Sequence, residues 1–144
     1  MSDDKMDVAK VIELVNKVLP LQLRSALQFT WTAATNTGLT TQAVASKIES
    51  FGLEDLEDAR RLMEKVTTLG GTPTTNAIEF EPLTLTSGDI KRIVEMETET
   101  VDALKDVIRP TGQEGRSEAM EHLLEHIIMR KQNQIDYLIR ASMD

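Results

Sequence analysis

Apolar residues return at alternating steps of three and four along four stretches of the chain, the spacing that lines up one face of an α-helix. The first stripe runs Val8, Val11, Val15, Val18 or Leu19, Ala26, Phe29 and Ala33, and it ends near Asn36 and Gly38. Ser2, Asp3 and Asp4 supply a start, since their side chains accept from free N–H groups at the positive end of the helix dipole. Pro20 forfeits one backbone hydrogen bond and crowds the carbonyl of Asn16, so a kink or restart is expected there. The second stripe follows a cap at Thr40 or Thr41 and runs Val44, Ile48, Phe51, Leu62, Val66 and Leu69 before "LGGTP" stops it. The third begins at Thr86 or Ser87, runs Ile90, Val94, Val101, Leu104 and Ile108, and should end before Pro110. Ser117 opens the fourth, which carries Met120, Leu124, Ile127, Leu138 and Ala141.

The joins between these stretches set the topology. Residues 36–40 and 110–116 are short enough to fold helices one and two, and three and four, into antiparallel hairpins. The segment "TPTTNAIEFEPLTLTSG", residues 72–88, has no helical or alternating period and is too long for a tight turn. It reads as a crossover that lets helix three run parallel to helix two. The expectation is an all-α, ferritin-like topology: a four-helix bundle with one long crossover, in a single domain over residues 1–144.

Each stripe turns polar near its middle. Helix four runs Met120, Leu124, Ile127, Lys131, Gln134, Leu138, Ala141, and helix three runs Ile90, Val94, Glu97, Val101, Leu104, Ile108. On helix two, Ile48 and Phe51 lead to Asp55 and Asp58 and then to Leu62 and Val66; on helix one, Gln22 falls between Leu19 and Ala26. Packing the four helices together should therefore gather Gln22, Asp55, Asp58, Glu97, Lys131 and Gln134 into one layer. Each unsatisfied polar group in such a core costs roughly 1–3 kcal/mol, so these six must satisfy one another, water or an ion.

With those residues in place the chain resembles the ferritin-like superfamily, especially its bacterioferritin and miniferritin members. The similar stretches are "LRSALQFTW", "DARRLMEKVTTLGGTP", "VEMETETVDALKDVI" and "NQIDYLI", in order along the four helices. Iron-oxidising members hold two irons with one Glu from each of helices one and three and a Glu-x-x-His pair from each of helices two and four. The resemblance carries the helix-one Glu to Gln22, the helix-two pair to Asp55 and Asp58, the helix-three Glu to Glu97, and the helix-four pair to Lys131 and Gln134. Only Glu97 keeps its kind, and a protonated Lys131 has no lone pair to offer a metal. Its ammonium, facing Glu97 and both aspartates, would substitute an ion-pair network for iron. The balance remains negative, so hydration, a shifted pKa or one adventitious cation is still needed. Some bacterioferritins bind haem through a methionine one residue after the first helix-two ligand; Leu56 stands there. The resemblance also implies a homo-oligomer, as a dimer through helices one and two or as a larger shell.

Composition narrows the function classes. Aromatics are 3% of the 144 residues, so the core must be aliphatic. A net charge of −8 argues against a nucleic-acid backbone as partner. There is no cysteine for a disulfide, thiolate site or nucleophile. No apolar run approaches the roughly 18 residues of a membrane span, and "MSDDKMDVAK" lacks the layout of a signal peptide, so a cytoplasmic protein is expected. His122 and His126, four apart and off the core stripe with Glu118 one turn earlier, offer a surface pair for a transition metal or a solvated or subunit-facing pair. Glu54, Glu57, Arg60, Arg61 and Glu64 are expected on a solvated, ion-paired face, and Trp31 is either an interface anchor or an ordinary half-buried residue.

Three functions fit these features. One is a non-catalytic binding or structural assembly protein that has lost most of its di-iron ligands. A second is a bacterioferritin-like iron-oxidising or iron-storage protein with ferroxidase activity that uses Asp55, Asp58 and Glu97 with the surface His122 and His126, the three carboxylates being also the candidates for a weakly held, non-redox divalent metal. The third, a helical adaptor for a protein partner, predicts a monomer with an exposed apolar groove.

Overall fold

The computed structural model describes residues 5–143, and these form four helices and no strand. They are α1 (Val8–Ala34), α2 (Gln42–Thr68), α3 (Ser87–Thr111) and α4 (Gly115–Ala141). α1 packs on α2 and α3, and α4 packs on α3 and α2, so the helices stand in the cyclic order one, two, four, three. The crossover lies along α1. Asn16 holds its beginning, donating to the Thr72 carbonyl at 3.1 Å and accepting from the Thr74 amide at 2.9 Å. Gln28 holds its far end, donating to the Glu81 carbonyl at 2.8 Å and accepting from the Glu81 amide at 2.9 Å. A segment fastened first near the start of α1 and then near its end has travelled the length of the bundle, which sets α3 parallel to α2.

Several boundaries differ from the sequence expectation. Ser2, Asp3 and Asp4 lie outside the described residues; Asp7 caps α1, accepting from the Lys10 amide at 3.2 Å. α1 continues through Pro20, whose buried ring gains packing against the one backbone bond it gives up. Thr41 stands at the start of α2 without a capping bond, and its hydroxyl donates to Asn36 Oδ1 at 2.9 Å. α3 passes Pro110 and ends at Thr111, with Gly112 at φ 74° turning the chain. Pro110 sits in the last turn, where it costs a single bond, and its carbonyl accepts from the Asp7 amide at 2.9 Å. α4 starts two residues before Ser117, whose buried hydroxyl donates to the Thr111 carbonyl and ties the two helices together. Thr86 does cap α3, accepting from the Asp89 amide at 3.2 Å.

The apolar core is split in two. One cluster gathers Val11, Val15, Val18, Leu19, Leu62, Val66, Leu104, Met120, Leu124 and Ile127. The other, around Phe29, Ile48, Phe51, Ile90, Ile93, Met96 and Leu138, holds most of the few aromatic rings: Phe29 and Phe51 meet edge to face at 5.7 Å, and Phe51 and Tyr137 at 5.5 Å. The polar residues occupy the level between. α2 packs tightly against α1 at Gly52, where a methyl group would lie 2.7 Å from Thr30 Oγ1 and 3.1 Å from the Ala26 carbonyl oxygen.

Replacing Gln28 by Ala leaves the Glu81 amide without its acceptor, leaves the Glu81 carbonyl with the Leu83 amide as its remaining donor, and takes from the Thr32 hydroxyl the Gln28 Nε2 donor 3.0 Å away. The expected loss is about 2–4 kcal/mol in urea unfolding, with faster amide exchange concentrated at Glu81.

Candidate functional site

All six layer residues are buried, at 0–1% exposure. They assemble because each occupies a core position of its own helix at the same height, between the two apolar clusters. Within the layer the groups divide into an inner and an outer set.

The inner set is centred on Lys131 of α4. Its Nζ donates to Asp55 Oδ2 of α2 at 2.8 Å and to Glu97 Oε2 of α3 at 2.6 Å, and lies 5.7 Å above the Phe29 ring of α1. Ser25 of α1 donates to the second oxygen of Glu97 at 2.8 Å, and Gln134 Nε2 donates to the second oxygen of Asp55 at 2.9 Å. Gln22 Nε2 reaches the Asp55 backbone carbonyl at 3.2 Å. One ammonium thus serves two carboxylates, leaving the inner set one negative charge in excess.

The outer set is centred on Asp58, and here the sequence expectation is corrected. Asp58 is not held by Lys131. Arg130 clasps it from α4 with Nε to Oδ2 at 2.9 Å and a terminal nitrogen to Oδ1 at 2.7 Å, while Arg61 adds a third bond at 2.8 Å. Two guanidinium groups on one carboxylate give this set one positive charge in excess. Asp55, Asp58 and Glu97 are therefore matched in number by Lys131, Arg130 and Arg61, so the expected negative balance, which left the arginines out, is closed by them. Arg61 stays on the solvated, ion-paired face on which it was expected, 41% exposed and 3.7 Å from Glu57, while another of its nitrogens reaches in to Asp58; Glu54 accepts from Gln134 Nε2 at 3.0 Å, and Arg60 is exposed and pairs with Glu57 and Glu64.

Burial and the nearby Glu97 charge outweigh the pull of Lys131 and push the Asp55 carboxyl up to about 7. Burial opposes charge on Lys131 most strongly, yet Asp55 and Glu97 together more than reverse it and hold the amine above its ordinary range. The two directions agree: an ammonium between two carboxylates stays protonated, and the surplus negative charge draws a further proton onto Asp55. Arg130 is raised chiefly by its hydrogen bonds to Asp58.

The donor set does not fit two irons. The oxygens of Asp55 and Glu97 are engaged by Lys131, Gln134 and Ser25, and those of Asp58 by two guanidinium groups. Two amide oxygens, Gln22 Oε1 and Gln134 Oε1, are buried without a donor among the described residues; neutral amides are poor substitutes for carboxylate and imidazole toward iron. Among the described residues no cluster of three or more His, Asp or Glu has a metal-holding arrangement. His122 and His126 are exposed, with ring centroids 6.4 Å apart, and His122 Nε2 lies 4.0 Å from Glu118. Trp31 is half-buried, 6.3 Å from the Phe80 ring.

Arg130, Arg61 and Ser25 were not among the expected site residues. Asp58 and Arg61 stand three apart on α2, the spacing of an intrahelical ion pair, and that signal was available. Ser25 falls on the three-and-four stripe of α1 between Gln22 and Phe29, so the period did mark it; Arg130 flanks a core position and carries no such mark.

A bundle with this crossover and a polar centre at these heights is the ferritin-like architecture. The chain belongs to the ferritin-like domain family, whose model matches residues 12–140. It is similar to a ferritin-like, diiron-carboxylate protein of Bacillus anthracis, at 26% identity and TM-score 0.82, covering 99% of this chain and 100% of that one. It also resembles the bacterioferritin of Desulfovibrio desulfuricans, whose diiron site was captured in different catalytic states, at 20% identity and TM-score 0.81 over 94% of this chain and 79% of that one. That second likeness shows the fold alone. No curated protein matches the sequence.

Two outcomes follow from the inner set. Lys131→Met leaves two buried carboxylates without a counter-charge and should cost about 3–5 kcal/mol at neutral pH, with part of the loss regained in acid as the carboxyls take up protons. Asp55 moves from 3.8 to about 7 on folding, so the folded chain holds an extra proton between those values. Its contribution is fully present below 3.8 and lost as pH rises through 7. Denaturant melts of Asp55→Asn across pH 4 to 8 should show a flatter profile than the parent over that interval.

Proposed function

We propose that this chain is a ferritin-like subunit in which an ion-pair network replaces the di-iron centre, acting as a non-catalytic binding or structural assembly protein. The observation that carries this reading is the Lys131 ammonium between Asp55 and Glu97, at 2.8 and 2.6 Å, in the middle of the bundle. A fixed positive charge there repels a metal cation and occupies the carboxylate oxygens that would ligate it. Arg130 and Arg61 do the same for Asp58. A cytoplasmic setting accords with the cysteine-free sequence, and among the described residues no helix is long and apolar enough to cross a membrane.

The assembly partner in this reading is a second copy of the chain. Leu27 on α1 and Leu53 and Leu56 on α2 are 50%, 66% and 54% exposed, a run of bare leucines on the two helices through which pairing is expected. Burying the half or more of each side chain that is still exposed stabilises association by roughly 1–2 kcal/mol each. Light scattering on the eluting protein should report a dimer or a larger shell, and the double variant Leu53→Glu, Leu56→Glu should shift it to monomer. A parent chain that is monomeric favours the adaptor reading instead.

A second reading keeps iron chemistry. It draws support from the 26% identity to a protein described as diiron-carboxylate, and it would use Asp55, Asp58 and Glu97 with His122 and His126 at the surface. Elemental analysis after aerobic incubation with ferrous iron separates the two. The preferred reading expects less than stoichiometric iron and oxidation no faster than in protein-free buffer. Stoichiometric iron with rapid oxidation rejects it.

A further inference from the structure

Lys131 and Asp55 are placed for a reaction that an ion pair does not require. The amine nitrogen is 2.8 Å from one oxygen of Asp55, and Glu97 Oε2 lies 2.6 Å from the same nitrogen. The three side chains are each 1% exposed, and the Phe29 ring closes one side of the amine at 5.7 Å. We propose that this triad is a modification site, at which Lys131 Nζ and the Asp55 carboxyl condense into an intramolecular isopeptide bond joining α4 to α2, with Glu97 relaying the protons.

Three features carry the step. The first is proximity: groups held in hydrogen-bond contact react as though present at roughly 10⁵–10⁸ M, enough to drive condensations that free amines and acids do not undergo in water. The second is dryness, since a site closed to solvent withholds the bulk water that would favour hydrolysis. The third is relief of buried charge. An amide needs no counter-ion, so the product removes the desolvation cost of the ammonium and of the Asp55 carboxylate, while Glu97 keeps its charge and the Ser25 hydroxyl and gains the new amide N–H as donor in place of the ammonium.

Atoms and protons balance without any added reagent. One proton passes from the Lys131 ammonium to Asp55 Oδ2, giving a neutral amine and a carboxylic acid. The nitrogen lone pair attacks Asp55 Cγ, forming the C–N bond. Glu97 Oε2 takes a second proton from the nitrogen along the existing hydrogen bond and delivers it to Oδ2, which leaves as water when the C–O bond breaks. The ammonium and carboxylate have become one amide and one water, with Glu97 again a carboxylate and nothing oxidised or reduced. Two acceptors stand by for that water: Gln22 Oε1 and Gln134 Oε1 lack donors, and both glutamines hydrogen bond Asp55.

The proposal rests on the metal-free centre proposed above, and its test separates the two. The full chain, purified with a chelator and denatured, should have a mass one water below that of its sequence. Trypsin should leave residues 48–60 joined to residues 131–140, because an acylated Lys131 is no longer a cleavage site. Glu97→Gln should return the full mass, as should Lys131→Arg. A parent chain of full mass, free of metal and cleaved after Lys131, overturns the isopeptide bond alone. Iron retained in the native mass spectrum overturns the metal-free centre beneath it.

Discussion

A single ammonium in a helical core governs this molecule. Taking Lys131 out of water costs several kcal/mol unless anionic oxygens meet it at hydrogen-bond distance, and the two that do so come from different helices, Asp55 of α2 and Glu97 of α3. Ser25 of α1 then steadies Glu97. All four helices are thereby tied to one atom. Sliding any of them by a turn would strand a charge among apolar side chains, so the layer fixes a register that the two apolar clusters alone would leave loose.

Much of this was legible in the residue pattern, and the reason is geometric. Core positions of a helix recur so regularly that a polar residue on the stripe announces itself, and Gln22, Asp55, Asp58, Glu97, Lys131 and Gln134 all proved buried at one level. What the pattern hid is equally physical. Arg130 and Arg61 sit beside the stripe, but their long arms bring the guanidinium groups inward to Asp58. A period marks where a Cα lies, not where six bonds of side chain end. Gln28 escaped notice for another reason: its partner is the backbone of Glu81, in a crossover without a period of its own. Helix ends were the least legible, because Pro110 and Thr41 are governed by tertiary hydrogen bonds as much as by local propensity.

The scaffold and the chemistry of its centre are separable. The Bacillus anthracis protein superposes over nearly the full length of both chains, yet a likeness of backbone passes on helix positions and not the groups they carry. Here three carboxylates face three cationic side chains, a set suited to holding helices together and poorly suited to holding a transition metal. The arginines complete that exchange. With Lys131 alone the centre would remain anionic and inviting to cations; with Arg130 and Arg61 it is balanced.

The crossover is stitched to α1 at Asn16 and again at Gln28, with residues 75–80 spanning the interval between those anchors. Strain introduced into that interval is arrested at the stitches before it reaches the start of α3. The chain therefore has a tolerant seam on its outer side, where insertions or a grafted peptide can be absorbed while the alignment of α3 at the centre stays as it is.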